Sequence, residues 1–210
     1  INFMIIGFCM GVCNGFAIPV AQRFGAKDEH GMRKFVANSV WLSIIFAVVM
    51  AVLVCVFCRQ ILELMNTPED IIDGSYSYIF VIFLGIPATY MYNLLSGIMR
   101  SLGDSKTPLY LLIFSSILNI ILDLLSIIVL KMGVAGAAWA TVIAQAVSGF
   151  CCLGVIWKKF PILHVQREEW QPDKLCILNL CNMGIPMGLQ YSITAIGSVI
   201  IQAAVNSLGS

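Results

Sequence analysis

Hydrophobic positions in this chain neither alternate nor recur against a polar helix face. They fill whole stretches of about 20 residues, at 1–21, 36–57, 76–98, 108–130, 134–157 and 185–206. Wound as a helix at about 1.5 Å per residue, each stretch crosses a hydrocarbon core of about 30 Å. A helix that is apolar all round is one whose surroundings are lipid or protein, and the missing period of two argues against strands. The pattern predicts an all-α integral membrane protein, a polytopic bundle of six spans.

The connections are short and polar, which makes successive spans antiparallel neighbours. The longest runs from Lys158 to Asp173 and holds Pro161, Trp170 and Pro172; beyond it, Lys174 to Met183 reads as a short interfacial helix, and Gly184-Ile185-Pro186 opens the last span. Three units follow: five spans in 1–157, a linker in 158–184, and one further span in 185–210. Gly85, Pro87 and Pro19 are hinge candidates, since each of these prolines removes a backbone donor and breaks the hydrogen-bond ladder. Gly136, Ala140, Ala144 and Ser148 form a small-residue stripe that lets helices approach closely.

Composition agrees with a membrane medium, with 60% hydrophobic and 11% charged residues and a mean hydropathy of +0.93. The net charge of +1 points to no nucleic-acid partner, but it hides an asymmetry. Arg23, Lys27, Arg33 and Lys34 follow the first span, Arg100 and Lys106 the third, and Lys158, Lys159, Arg167 and Lys174 the fifth, which leaves only Arg59 and Lys131 on the other side. Basic loops stay inside, so the first, third and fifth loops are expected in the cytoplasm of a cell-membrane protein, with Glu63, Glu69, Asp70 and Asp73 outside. The chain opens without Met inside an apolar run and stops at the end of a span, so the remainder of a longer polypeptide is expected as its partner.

One acidic side chain lies inside a span. A carboxylate near the bilayer centre costs roughly 3 kcal/mol, so the acids found there face cavities and move ions or protons. That residue is Asp123. Asn119 precedes it by one turn on the same face, and Ser116 and Ser126 continue the polar series. Counted from the tight turn at Lys131-Met132-Gly133, Asp123 and Thr141 stand at one depth, and Asn119 and Gln145 at another. Tyr90, among the aromatics near Pro87, suits contact with a lipophilic cation. The eight cysteines read as small packing groups and the two histidines, His30 and His164, as solvated loop residues. No Gly-rich Lys-Ser/Thr phosphate loop, zinc cluster or nucleophile with its base is present, so neither an ATPase nor an intramembrane enzyme is expected, and no cofactor.

Three runs carry a resemblance. Pro19-Val20-Ala21-Gln22-Arg23-Phe24-Gly25-Ala26-Lys27-Asp28, Met99-Arg100-Ser101-Leu102-Gly103-Asp104-Ser105-Lys106-Thr107-Pro108 and Gly133-Val134-Ala135-Gly136-Ala137-Ala138 resemble multidrug and toxic compound extrusion transporters. The resemblance implies a twelve-helix, two-lobe protein, of which this chain holds helices two to six of the first lobe and helix seven. It implies a first-lobe cation site at Asn119, Asp123 and Thr141, completed by an acid on the absent first helix. The alternative carboxylate on helix seven aligns with Thr194, which favours the first lobe. The expected function is antiport of amphipathic organic cations or drugs against H⁺ or Na⁺, with membrane lipid around it; the ion is its only metal, held by those three residues. The alternative is a lipid-linked saccharide flippase, which needs a cationic cavity that this chain's spans do not supply.

Overall fold

The computed structural model describes residues 2–64 and 69–207. Among these residues there is no strand, and seven α-helices follow one another: α1 (Asn2–Gly25), α2 (Glu29–Leu64), α3 (Glu69–Leu84), α4 (Ile86–Ser101), α5 (Lys106–Leu124), α6 (Gly133–Lys159) and α7 (Lys174–Ser207). A π-helical turn, Leu125–Val129, prolongs α5, and a 3-10 turn, Pro161–Leu163, follows α6. The side chains of Glu63, Glu69, Asp70 and Asp73, expected on the outer side, lie outside the described residues.

Among the described residues α1, α2, α5 with its π turn, and α6 are each long and apolar enough to cross a membrane, and α3 with α4 adds a fifth span if the bent pair counts as one. The sixth expected stretch lies within the 34 residues of α7. α2 is the longest at 36 residues, about 54 Å, so it stands well clear of a hydrocarbon core of about 30 Å. Its outward-facing side, including Ile44, Val48 and Val52, is exposed as expected of a surface bathed in lipid.

Proline and glycine act differently at the three expected breaks. At Gly85 the third span bends by 43° into α3 and α4, with Pro87 in the first turn of α4, where a missing N–H costs nothing. A Cβ on Gly85 would lie 2.3 Å from Cγ2 of Val142, so glycine lets the break press against α6. Pro19, by contrast, breaks nothing: α1 runs through it, buried, to Gly25. α7 corrects the expected division between an interfacial helix and a span, because it is one helix from Lys174 with Pro186 inside it. Gly184 and Gly188 press that stretch onto α1, and such packing carries a helix past one lost hydrogen bond.

α1 lies at the centre, packed most extensively along α7 and also on α2 and α4. α4 touches α6, and α6 touches both α3 and α5. The core holds Cys13, Phe16, Phe83, Ile86, Tyr90 and Leu180. The turn from α5 to α6 uses left-handed backbone at Lys131 (φ 52°) and Gly133 (φ 61°), and Met132 N–H donates to the Ser126 carbonyl at 3.0 Å. The three basic connections lie on one face, since the α6–α7 segment meets the start of α2 through Glu169 and Arg33, and the end of α6 meets the α4–α5 loop through Lys159 and Asp104.

Candidate functional site in the α5–α6 pair

α5 and α6 pair antiparallel because only a three-residue turn joins the π segment to α6, and small residues at Gly136, Ala140 and Ala144 let the helices close. A Cβ on Gly136 would stand 3.0 Å from that of Ser126, which is buried. Deeper along the pair, Asn119 Nδ2 donates to Thr141 Oγ1 at 3.3 Å, and Thr141 in turn donates to the Ala137 carbonyl at 3.0 Å. Ser115, which the sequence did not single out, donates to the Ala144 carbonyl at 3.5 Å. These contacts line the α5 side that faces α6.

Asp123 stands one turn from Asn119 on the same helix. Its Oδ1 is buried and has no hydrogen-bond partner among the described residues. A buried polar atom normally has a partner, and leaving a charged one without costs several kcal/mol, about the desolvation penalty of an ion after relaxation.

Neither pair expected from the depth count forms as counted. Asn119, not Asp123, meets Thr141, and Gln145 faces another helix, where Thr89 Oγ1 donates to its Oε1. The π turn at Leu125–Val129 adds a residue to the winding, so a regular α-helical count from the turn misplaces everything beyond it. Gln145 is thus tied to the start of α4 beside the Gly85 break. Ser116 is exposed and bonds its own helix at the Leu112 carbonyl, 3.0 Å away. Tyr90 is buried in the core and borders an apolar groove of about 320 Å³ between α2 and α4, with Ser43 and Pro87, apart from the α5 residues.

A second polar group joins α1, α4 and α7. Arg100 donates to Asn14 Oδ1 at 3.1 Å, and Asn14 Nδ2 donates to the Tyr191 hydroxyl at 3.3 Å. No sequence signal marks it, because the residues are 86 and 177 positions apart.

Both histidines are exposed, as expected, although His30 lies in the first turn of α2 rather than in a loop. His30, its side chain 71% exposed, bonds Glu169 through Nδ1 at 2.9 Å, and His164 lies tilted against the Trp157 ring while bonding its carbonyl. Among the described residues Glu169 is the most enclosed acid: Arg33 Nε reaches both its oxygens at 2.9 and 3.0 Å, and the Gln166 N–H donates at 2.8 Å. Burial pushes its carboxyl up, but the Gln166, Arg33 and His30 hydrogen bonds outweigh it and hold the group below its ordinary range.

The family model described as MatE matches residues 1–125. The probable multidrug resistance protein YoeA of Bacillus subtilis is 32% identical over 99% of this chain and 46% of its own length. The multidrug resistance protein PmpM of Pseudomonas aeruginosa is 31% identical over 86% of this chain and 39% of its own. The chain spans about half the length of the curated relatives it matches. Among solved structures, an outward-facing multidrug resistance transporter superposes with a TM-score of 0.89 at 23% identity, covering 99% of this chain and 46% of that one. An inward-facing one superposes at 0.83 and 25% identity, covering 91% of this chain and 44% of that one.

Proposed function

Because the chain belongs to the MatE family, we propose that the multi-pass membrane protein it is part of exports amphipathic organic cations or drugs by antiport against H⁺ or Na⁺, coupled at Asp123. The buried, unpartnered Oδ1 of Asp123 carries this reading. Ionised and empty, the carboxyl disfavours any arrangement that closes water away from it. Neutralised by a proton, or by Na⁺ shared with the Asn119 and Thr141 oxygens, it tolerates closure, and that difference biases two conformations of the protein. Asn119 and Thr141 supply neutral oxygens and hold the α5–α6 pair in register. One charge moved through 100 mV supplies about 2.3 kcal/mol, which sustains a substrate ratio of roughly 50-fold. The relatives named as multidrug resistance proteins support the substrate class. In the orientation proposed, the face bearing Lys27, Lys106 and Lys159 is cytoplasmic.

The test is transport in vesicles holding the full-length protein. An imposed H⁺ or Na⁺ gradient should drive export of a fluorescent organic cation, and Asp123→Asn, similar in shape but fixed in charge, should reduce it to the level of empty vesicles at normal protein abundance. Undiminished export by that variant would reassign Asp123 to a structural role.

A further inference from the structure

The segment joining α6 to α7 looks like a free linker in the sequence and is nothing of the kind in the fold. Glu169, 1% exposed, is gripped by Arg33 and His30 of α2, and Trp41 of α2 donates to the Trp170 carbonyl at 3.2 Å with the two indoles edge to face. Asp173 then starts α7 on the same helix. Its Oδ1 accepts from Leu175 N–H at 2.8 Å, capping α7, while Oδ2 accepts from Lys34 Nζ at 2.8 Å and its own N–H donates to Asn38 Oδ1 at 2.9 Å. Cys176 and Leu180, the first inward residues of α7, belong to the core shared with α1, α2 and α4.

Past this base α7 changes character. A Cβ on Gly15 would fall 2.5 Å from Gly184 Cα, and one on Gly11 would fall 2.7 Å from Gly188 Cα, so here α7 meets α1 backbone to backbone, with Phe16 and Phe8 of α1 lying over the bare faces of Gly184 and Gly188. Between these two crossings stands Pro186, which cannot donate to the carbonyl four residues earlier. A helix missing one ladder bond bends more readily there than along a stretch whose ladder is intact.

We infer that the mechanical boundary between the two lobes lies inside α7 at Gly184–Pro186: residues 160–183 are anchored to α2 as part of the first lobe, and the remainder of α7 pivots on α1. This rests on the two-lobe antiport reading above. The strap then stays docked throughout the cycle, and Glu169 and Asp173 act as positioning residues that keep the base of α7 still.

Two thiol pairs in the full-length protein separate a still base from a moving end. Arg33→Cys with Glu169→Cys joins strap to α2, and Met4→Cys with Ser192→Cys joins α1 to α7 beyond the pivot, where Ser192 Oγ now donates to the Met4 carbonyl at 3.4 Å. Each pair is bridged by a short bifunctional methanethiosulfonate, reversed by dithiothreitol, with the single-cysteine variants as controls for the native thiols. The bridged base should leave ion-driven export within about twofold of the unbridged protein, while the bridged outer pair should cut it about a hundredfold until reductant is added, as expected when one of two required states is removed. Loss of export on bridging the base, or full export with the outer pair bridged, overturns the pivot. Hydrogen exchange on the unmodified protein gives a readout independent of export: on a step in H⁺ or Na⁺, amides of 188–198 should change protection and those of 176–182 should not. A uniform change along α7 would also overturn it. A protein that exports nothing would defeat the antiport reading alone, with the exchange profile still deciding where α7 bends.

Discussion

Asp123 and Glu169 are both acids set into the folded protein, and they are provisioned in opposite ways. Glu169 receives hydrogen bonds from Arg33, His30 and the Gln166 N–H, while Asp123 keeps a buried oxygen to which no described residue hydrogen-bonds. The first lies in the basic connections on one face of the bundle, the second inside a span, where an unmet charge costs most. A carboxylate whose bonds are all made holds elements together; one left unmet inside a span is where the proposed coupling ion would find its site.

The widest separation should appear in stability. Glu169→Ala leaves Arg33, which is only 16% exposed, with no acid but Glu29 at 3.6 Å, and should cost roughly 3 kcal/mol, seen as a lower melting temperature of the purified full-length protein. Asp123→Asn should leave the melting temperature level or raise it, because it removes an uncompensated charge. Equal losses from the two substitutions would erase the contrast. Next in size, Asn119→Ala and Thr141→Ala should each weaken the half-saturating ion concentration for export by about tenfold, the worth of one neutral ligand at 1.4 kcal/mol per decade. An unchanged ion dependence would leave Asn119 and Thr141 as packing partners only.

Acid should lower stability through the partnered carboxyls. At Glu169 the Gln166, Arg33 and His30 bonds outweigh burial, Lys34 holds Asp173 low, and Lys159 with Thr107 holds Asp104 low. Depressed carboxyls contribute stability that is present above their unfolded value, near 4, and lost as pH falls through the folded values. Melting temperature should accordingly stay flat from about pH 8 to about pH 5 and decline below about pH 4. Replacing Glu169 with Gln should shrink that acid limb. The smallest effect sharpens the site's edge: Ser116→Ala, which removes only a bond to its own helix, should leave export and stability unchanged within about 0.5 kcal/mol.

The sequence showed the parts of this fold that hydrophobic length controls, and those that depend on neighbours along one helix. Spans, the break at Gly85, and the sharing of one face by Asn119 and Asp123 are all local, and Thr141 followed from a three-residue turn that leaves the next helix no choice of partner. The Glu169 anchor was invisible because its partners lie 136 and 139 residues away, and its charges read equally well as a topology signal. Gln145 was misassigned because its partner, Thr89, lies 56 residues away on another helix, and nothing in Leu125-Ser126-Ile127-Ile128-Val129 announces the π winding that turns Asn119. Pro19 and Pro186 misled in the opposite direction. A proline removes one bond wherever it stands, but whether the helix stops depends on what packs against it, and that contact comes from a distant part of the chain.

That π turn makes the site a matter of counting. Deleting any one residue of Leu125–Val129 would restore regular winding and rotate all of α5 before it by about 100° relative to α6, carrying Asn119 away from Thr141 and aiming Asp123 at a different neighbour. Every residue of the site would remain. A protein with all the expected side chains and one fewer apolar residue near Lys131 would therefore carry the motif without its geometry, and a comparison that scores identities while ignoring a single gap there would pass over the difference.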